Sequence, residues 1–233
     1  MKPAILPCIF GGVVANEGVN FTLEKGELRC LIGPNGAGKS TFFKCLTGQL
    51  TPTEGSVRIG DVDTTGYQPY EIARLGVGIK TQIPNVFDGL SVEENVWLSA
   101  SRRQPGKSAV SIANEMLERL RLSPLRSRQV GMLAHGQRQW VELAMVMATQ
   151  PRLVLLDEPA AGMTDEETLL TAELIREINQ TASLIIVEHD MNFIRAIADK
   201  VTVFYRGKIL IEDTMDAISA NTVVRDVYLG HKH

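Results

Sequence analysis

One run of eight residues has the spacing G-x-x-x-x-G-K-[ST], which is typical of a loop that binds phosphate groups. The run reads Gly33-Pro34-Asn35-Gly36-Ala37-Gly38-Lys39-Ser40, and Thr41 follows it. Its glycines allow successive backbone N–H groups to face an anion, and a helix that starts there adds partial positive charge. Lys39 can reach the β- and γ-phosphates of a nucleotide, and the Ser40 hydroxyl is a suitable Mg²⁺ ligand. The sequence therefore predicts nucleotide binding, which many reaction classes share.

A second acidic pattern follows the apolar run Leu153–Leu156, which we interpret as a buried strand. This run ends in Asp157 and Glu158. At the carboxyl end of a strand, Asp157 is well placed to hold Mg²⁺ through water. Glu158 is the adjacent carboxylate and can orient and deprotonate an attacking water. This pair favours nucleotide hydrolysis over other reactions of phosphate-binding loops.

The tripeptide Gly106-Lys107-Ser108 repeats part of the first pattern. Ser101 stands where the first glycine of the motif is required, and no apolar strand leads into the segment. We therefore predict a plain loop at this place.

Short apolar strands alternate with amphipathic helices along much of the chain. Examples are the strand 26–32 before the phosphate loop, the strand 183–187, and the helix 108–122. Continuous apolar strands between helices predict a mostly parallel sheet covered on both faces. A small antiparallel β part is also expected, and residues 201–205 and 208–212 are predicted to form a hairpin. We predict an α/β core formed by residues 1–85 and 152–233, interrupted by a helical subdomain at 86–151.

Composition excludes several classes of protein. The chain has 233 residues, of which 44% are hydrophobic, and a formal net charge of −3. It lacks the basic excess of a nucleic-acid binder, so no nucleic-acid partner is expected. Nothing approaches the roughly 18–20 consecutive apolar residues of a membrane span.

Further motifs occur in an order that resembles the ATP-binding subunit of an ABC transporter over nearly the whole chain. Their equivalents are the Q-loop glutamine Gln82, the signature motif Leu133-Ala134-His135-Gly136-Gln137, the Walker B residues Asp157-Glu158, the D-loop 161–164, the switch histidine His189 and the adenine-stacking aromatic Phe10. The resemblance implies a P-loop NTPase (RecA-like) core that binds ATP and Mg²⁺.

The resemblance also implies roles for these residues. Gln82 would ligate Mg²⁺ and couple the site to a membrane partner, and His189 would contact the γ-phosphate and the attacking water. The signature motif would bind ATP held by the opposite subunit of a head-to-tail dimer. In two places the chain departs from the family pattern. Ala134 and His135 replace a serine and a glycine of the signature motif, and Thr164 stands at the D-loop aspartate position, next to Asp165.

Within the family, the chain resembles importers of branched-chain amino acids, urea and short amides, and most of all the urea-type branch. The features that carry this are residues 10–12, 133–140, 158–168, 188–191 and 228–230. The resemblance implies a second, similar ATPase subunit (the same or a different chain), two integral membrane permease subunits and, indirectly, a solute-binding protein. The chain would then be a peripheral protein on the cytoplasmic side of the inner membrane.

Two alternatives remain open at the sequence level. One is an ABC-type ATPase that serves a cytosolic assembly complex, which would have no membrane partner. The other is a regulatory module that binds nucleotide and hydrolyses it weakly. Ala134 and Thr164 favour the regulatory module, whereas Glu158 and His189 favour an active ATPase.

Overall fold

The computed structural model describes residues 4–10, 13–83 and 85–229, with side chains for 16–83 and 85–227. The chain forms two compact units. Unit 1 consists of Met1–Leu75 with Ser183–His233, and unit 2 is Gly76–Ala182. Residues 86–151, predicted as a helical subdomain, all fall within unit 2. The predicted domain boundaries themselves remain a prediction.

Unit 1 contains two antiparallel pairs, a group of four strands and several helices. Its elements are β1 (Ala4–Phe10), β2 (Val13–Phe21), β3 (Leu28–Ile32), α1 (Lys39–Leu46), β4 (Arg58–Ile59), β5 (Val62–Asp63), α2 (Pro69–Arg74), β8 (Ser183–Val187), α7 (Met191–Ile197), β9 (Lys200–Tyr205), β10 (Lys208–Asp213), α8 (Met215–Ala220) and α9 (Thr222–Leu229).

The strand β3 lies between β8 and β9 and is parallel to both. β10 pairs antiparallel with β9 through a turn at Arg206 and Gly207, which both have positive φ. All five residues of β3 are buried. Behind it, Phe42 of α1 is 1% exposed and lies edge-on to Phe21, with ring centroids 5.2 Å apart. This packing fixes the start of α1 directly after the loop that follows β3.

Unit 2 combines two parallel strands with a group of helices. Its elements are β6 (Val77–Lys80), α3 (Val92–Ser101), α4 (Lys107–Arg119), α5 (His135–Ala148), β7 (Leu153–Asp157) and α6 (Asp165–Asn179), together with short 3₁₀ turns at Ser123–Leu125 and Val130–Met132. β6 and β7 are parallel, with Lys80 opposite Leu156.

Helix α5 is closely packed within unit 2. A Cβ atom at Gly78 of β6 would lie 2.6 Å from a methyl carbon of Val146, so glycine permits the close approach of this strand to the helix. On α5 itself, Val141 and Ala144 are fully buried. Helix α5 is therefore held firmly on the strand that leads into the Gln82 region.

The α/β class with mostly parallel strands, a small antiparallel part and helices is confirmed. Several bounds differ from the prediction. Helix α4 ends at Arg119 instead of residue 122, because Arg121 adopts the left-handed conformation with φ 57°. The prediction of a loop at 106–108 is wrong in part, since Lys107 and Ser108 begin α4 after Gly106.

Candidate functional site

The phosphate loop, residues 33–38, connects β3 to α1 in unit 1. Gly33, Gly36 and Gly38 have φ of 145°, 77° and 105°, a region that L-residues rarely adopt. A Cβ atom at Gly33 would overlap the carbonyl oxygen of Phe204. Both the dihedral angle and the space therefore require glycine at this position.

Backbone bonds hold the same loop in place. Ala37 N donates to Pro34 O at 3.1 Å, and Ala37 O accepts from Gly207 N at 2.9 Å. Asn16 Nδ2 donates to Gly38 O at 3.3 Å. The loop is thus tied to the β9–β10 turn and to β2 while its glycines shape a concave turn of N–H groups.

Lys39 is the first residue of α1 and is half-buried. Its Nζ donates to the carbonyl oxygens of Gly33, at 2.5 Å, and Pro34, at 3.1 Å. The ammonium group is therefore held across the loop by the loop's own backbone. Ser40 is exposed and Thr41 half-exposed in the first turn of the helix, which contains no acidic residue. This is the arrangement that favours an anion.

His189 follows β8 in unit 1, and its side chain is 66% exposed. The preceding Glu188 is buried, and its Oε2 accepts hydrogen bonds from the backbone N–H groups of His189, at 2.7 Å, and Asp190, at 3.3 Å. Asp190 in turn caps α7 through the N–H groups of Asn192 and Phe193. A buried carboxylate and a helix cap thus position the backbone on both sides of an exposed imidazole.

Gln82 and Glu158 come together in unit 2. Gln82 Nε2 donates to Glu158 Oε2 at 2.9 Å, although the residues are 76 positions apart. Glu158 directly follows β7 and has φ 47°, which is unfavourable for a residue with a side chain. Gln82 follows β6, the parallel neighbour of β7, so both side chains lie at the carboxyl ends of their strands.

The signature segment, residues 133–137, leads into α5. Gln137 Oε1 accepts from Ala134 N at 3.2 Å, which satisfies one N–H group at the helix start. His135 Nε2 lies 3.1 Å from Ala161 O and 3.2 Å from the amide nitrogen Nε2 of Gln139. A Cβ atom at Gly136 would lie 2.5 Å from a carboxylate oxygen of Glu167, so the segment packs closely on the start of α6.

The available donors suit Mg²⁺, which prefers oxygen ligands and keeps several waters or phosphate oxygens in its shell. In unit 2, Asp157 supplies a carboxylate at the end of β7, and the amide nitrogen of Gln82 bonds Glu158, so its amide oxygen remains outside that bond. In unit 1, Ser40 supplies an exposed hydroxyl. Within the described part of the chain, no cluster of three or more His, Cys, Asp or Glu side chains forms a ready-made metal site.

Comparisons with known proteins identify the family. Residues 16–161 match the family model described as ABC transporter. The chain is 36% identical to the high-affinity branched-chain amino acid transport ATP-binding protein BraF of Pseudomonas aeruginosa, over 95% of this chain and 94% of that protein. The protein LivG of Escherichia coli K12, with the same description, is also 36% identical over the same shares. The chain belongs to the ATP-binding proteins of the ABC transporter family.

Solved structures agree with this assignment. A nucleotide-free ATP-binding cassette from an ABC transporter superposes with a TM-score of 0.87 at 27% identity, covering 99% of this chain and all of the other. The ADP conformation of such a cassette gives a TM-score of 0.86 at 26% identity, with the same coverage. The chain is an ATPase of this family, with ATP as its nucleotide and Mg²⁺ as the usual ion.

This ABC ATPase brings some of the predicted site residues into contact. Of the predicted residues, Gln82 and Glu158 are in direct contact, and the phosphate loop forms one continuous turn with Lys39. The side chain of Phe10, predicted to stack on adenine, lies outside the described residues. In the described segments, no helix is both long enough and apolar enough to cross a bilayer.

Sequence reasoning missed three residues that organise the site. Glu188 fixes the backbone of His189, and Glu142 with Lys80 forms a buried ion pair beside Gln82. Each is a charged residue that an amphipathic pattern would place at the surface. Lys80 and Glu188 stand at the end of an apolar strand, which was the one available signal for them.

Proposed function

We propose that this ABC ATPase is the motor subunit of an importer for a small polar solute. The contact between Gln82 and Glu158 is the main structural support, because it joins the proposed coupling glutamine to the proposed catalytic carboxylate. The solute class is that of branched-chain amino acids, urea and short amides. The descriptions of BraF and LivG as branched-chain amino acid transport proteins support amino acids as the solute, and the resemblance of the signature segment to the urea-type branch supports urea.

The proposed nucleotide site divides its work between two kinds of group. Backbone N–H groups of the phosphate loop and the Lys39 ammonium bind the phosphates, and Thr41 completes the first turn of α1. Ser40, Asp157 and Gln82 would hold Mg²⁺, which neutralises charge on the phosphates when bound. Phe10 is proposed to stack on adenine.

The hydrolysis step requires a base, a water and stabilisation of the γ-phosphate. Glu158 accepts a proton from the water while the water oxygen forms a bond to the γ-phosphorus. The bond between the γ-phosphorus and the β–γ bridging oxygen breaks, which gives ADP and phosphate. His189 donates a hydrogen bond to the γ-phosphate. Glu188 accepts hydrogen bonds from the backbone N–H groups of His189 and Asp190, which lowers the entropic cost of ordering the imidazole.

The signature segment is proposed to act on a second subunit. Leu133, Ala134, His135, Gly136 and Gln137 lie at the N-terminus of the 14-residue helix α5, where N–H groups and the helix dipole favour a phosphate. In a head-to-tail dimer each such segment contacts ATP bound to the other subunit. Closure of the dimer around ATP then supplies the motion, since ATP binds the closed state more tightly.

Exposed apolar side chains of unit 2 support a membrane partner. Ile83 and Phe87, in the loop region between β6 and α3, are 80% and 56% exposed, and Trp97 on α3 is 40% exposed. Large exposed apolar side chains often mark a protein interface. We propose that residues 86–101 receive a permease subunit, which places the chain on the cytoplasmic side of the inner membrane as a peripheral protein.

The deciding experiment is purification of the chain from its native cells in mild detergent, with partners identified by mass. Two integral membrane proteins and a second similar ATPase are expected. The accompanying solute-binding protein is then titrated with leucine, urea and acetamide. Recovery of soluble partners alone would favour an ATPase of a cytosolic assembly complex and would refute the importer.

A further inference from the structure

One buried carboxylate in unit 2 contacts both ends of the segment that carries Gln82. Glu142 lies on α5 and is 4% exposed. Its Oε1 accepts a hydrogen bond from Asn85 N at 3.0 Å, and its Oε2 lies 3.6 Å from Lys80 Nζ. Lys80, the last residue of β6, is 1% exposed. The Gln82 loop, residues 81–83 and 85, therefore begins and ends beside the same carboxylate.

Burial makes this arrangement demanding. Removing a lysine and a glutamate from water is costly, and a well-packed apolar pair of similar volume is often as stable. Burial raises the pKa of Glu142, while Lys80 and the Asn85 N–H lower it and favour the charged form. An ion pair at such a place has its clearest benefit in directing geometry, because each charge specifies a partner and a distance.

Gln82 is the residue whose geometry depends on these anchors. It is exposed, so packing does not fix it, and its Nε2 bonds the Glu158 carboxylate at 2.9 Å. It lies two residues after Lys80 and three before Asn85. A loop this short has few conformations when both of its ends are fixed, so the anchors determine where the Gln82 amide can lie.

We propose that Glu142 is a positioning residue, which ties both ends of the Gln82 loop to helix α5 and thereby holds Gln82 on Glu158. Helix α5 begins in the signature segment, so the same rigid element carries the proposed contact to the second ATP at one end and the anchor of Gln82 two turns later. A shift of α5 on ATP-driven closure would move Gln82 with it. This inference rests on the proposed roles of Gln82 and Glu158.

The test is a double-mutant cycle on the purified full-length chain. Glu142→Gln keeps the size of the side chain and an acceptor for Asn85 N, but it removes the charge that faces Lys80. In the otherwise wild-type chain, we expect Glu142→Gln to lower kcat for ATP hydrolysis about tenfold. In a chain that also carries Gln82→Ala, the same substitution should lower kcat less than about twofold. The dissociation constant for ATP, measured by titration, should stay within about twofold in both backgrounds.

Equal fold-losses of kcat in the two backgrounds would overturn the proposal, because Glu142 would then act independently of Gln82. A large loss of ATP affinity with unchanged kcat would also overturn it. The matched control is Glu173→Gln, the same change in an exposed ion pair of the same unit, with Arg121 at 3.0 Å. This control should leave kcat and ATP affinity unchanged.

A second variant covers the case in which Glu142→Gln does not fold. Lys80→Met combined with Glu142→Leu removes both charges and leaves neither buried alone, but it also removes the acceptor for Asn85 N. We expect a folded protein in which the Asn85 amide exchanges its hydrogen faster by tenfold or more, with kcat lowered as for Glu142→Gln. Unchanged exchange together with unchanged kcat would refute the anchor.

Failure of the proposed function gives a different result. If Gln82→Ala and Glu158→Gln alone leave hydrolysis unchanged, the assignment of the hydrolytic residues is wrong. If both lower hydrolysis but Glu142→Gln combines additively with Gln82→Ala, only the positioning role of Glu142 is wrong.

Discussion

The phosphate loop of unit 1 and the Gln82 loop of unit 2 are built on opposite principles. Backbone dihedral angles shape the first, with three glycines at positive φ and a lysine held by the loop's own carbonyl oxygens. Side chains from distant segments shape the second: Glu142 anchors its ends, and Glu158 accepts from Gln82. The phosphate loop should therefore tolerate changes around it but not within it, and the Gln82 loop should respond to changes far away in sequence.

The most severe test of this contrast is Gly33→Ala. The added Cβ would overlap the Phe204 carbonyl oxygen, so we expect loss of measurable ATP binding and a fall of about 3 kcal/mol in the free energy of unfolding. Nucleotide titration and urea unfolding measure the two effects.

Gly36→Ala is the matched control for stability. Gly36 also has positive φ, but no atom lies within 4 Å of the position of its Cβ. Its cost should be about 1 kcal/mol, from the dihedral angle alone. Equal losses of stability in the two variants would show that steric overlap at Gly33 is unimportant.

The next largest effect is expected from Glu158→Gln, which keeps the shape of the side chain and removes the proposed base. We expect steady-state hydrolysis to fall by about 10²–10³-fold, while ATP still binds and an ATP-bound dimer accumulates. Phosphate release and size-exclusion chromatography with ATP measure these outcomes. Wild-type turnover in this variant would remove Glu158 from the mechanism.

A smaller effect is expected from His135→Gly, which removes the bond to Ala161 O. The lost hydrogen bond and the glycine in the first turn of α5 should together lower the free energy of unfolding by about 1–2 kcal/mol. His135→Gln offers an amide N–H at similar reach and should restore part of the loss. If glutamine and glycine are equally destabilising, the His135–Ala161 bond contributes nothing.

The smallest expected effect is a pH dependence at Glu142. Burial raises the pKa of Glu142 in the folded chain above its ordinary value in the unfolded chain, so the folded state binds this proton more tightly than the unfolded state. Its contribution to stability is present below the unfolded value and is lost as the pH rises through the folded pKa. Between these two pKa values, the free energy of unfolding of the wild type should therefore fall with rising pH relative to that of Glu142→Gln. Urea unfolding at several pH values measures this difference, and a rise would mean that the pKa of Glu142 is lowered on folding.

The same contrast explains how much the sequence could predict. The phosphate loop is a local pattern, because glycines and a lysine at fixed spacing determine both its conformation and its chemistry. Gln82 was found through a family resemblance and Glu158 through its place after an apolar strand, but their contact spans 76 positions and depends on the parallel pairing of β6 and β7. No local pattern marks Glu142, since a glutamate on a helix is usually exposed.

The limits of the secondary-structure predictions have similar causes. The strand β6 was missed because it has four residues, one of them a glycine that permits close approach of α5. Helix α4 ends early because Arg121 adopts the left-handed conformation, which arginine has no intrinsic preference for. The apolar strands β7 and β8 were predicted almost to the residue, because buried parallel strands have continuous apolar sequences.

The unfavourable dihedral angle of Glu158 creates a trade-off between thermal stability and ATP hydrolysis. A residue with a side chain at φ 47° costs about 1–2 kcal/mol relative to glycine, which adopts this conformation freely. Directed evolution that selects thermostability alone would therefore enrich glycine at this position. If Glu158 has the role proposed above, the selected variants would be stable and would bind ATP, but they would not hydrolyse it. Selection for a more stable enzyme therefore needs an assay of phosphate release in every round.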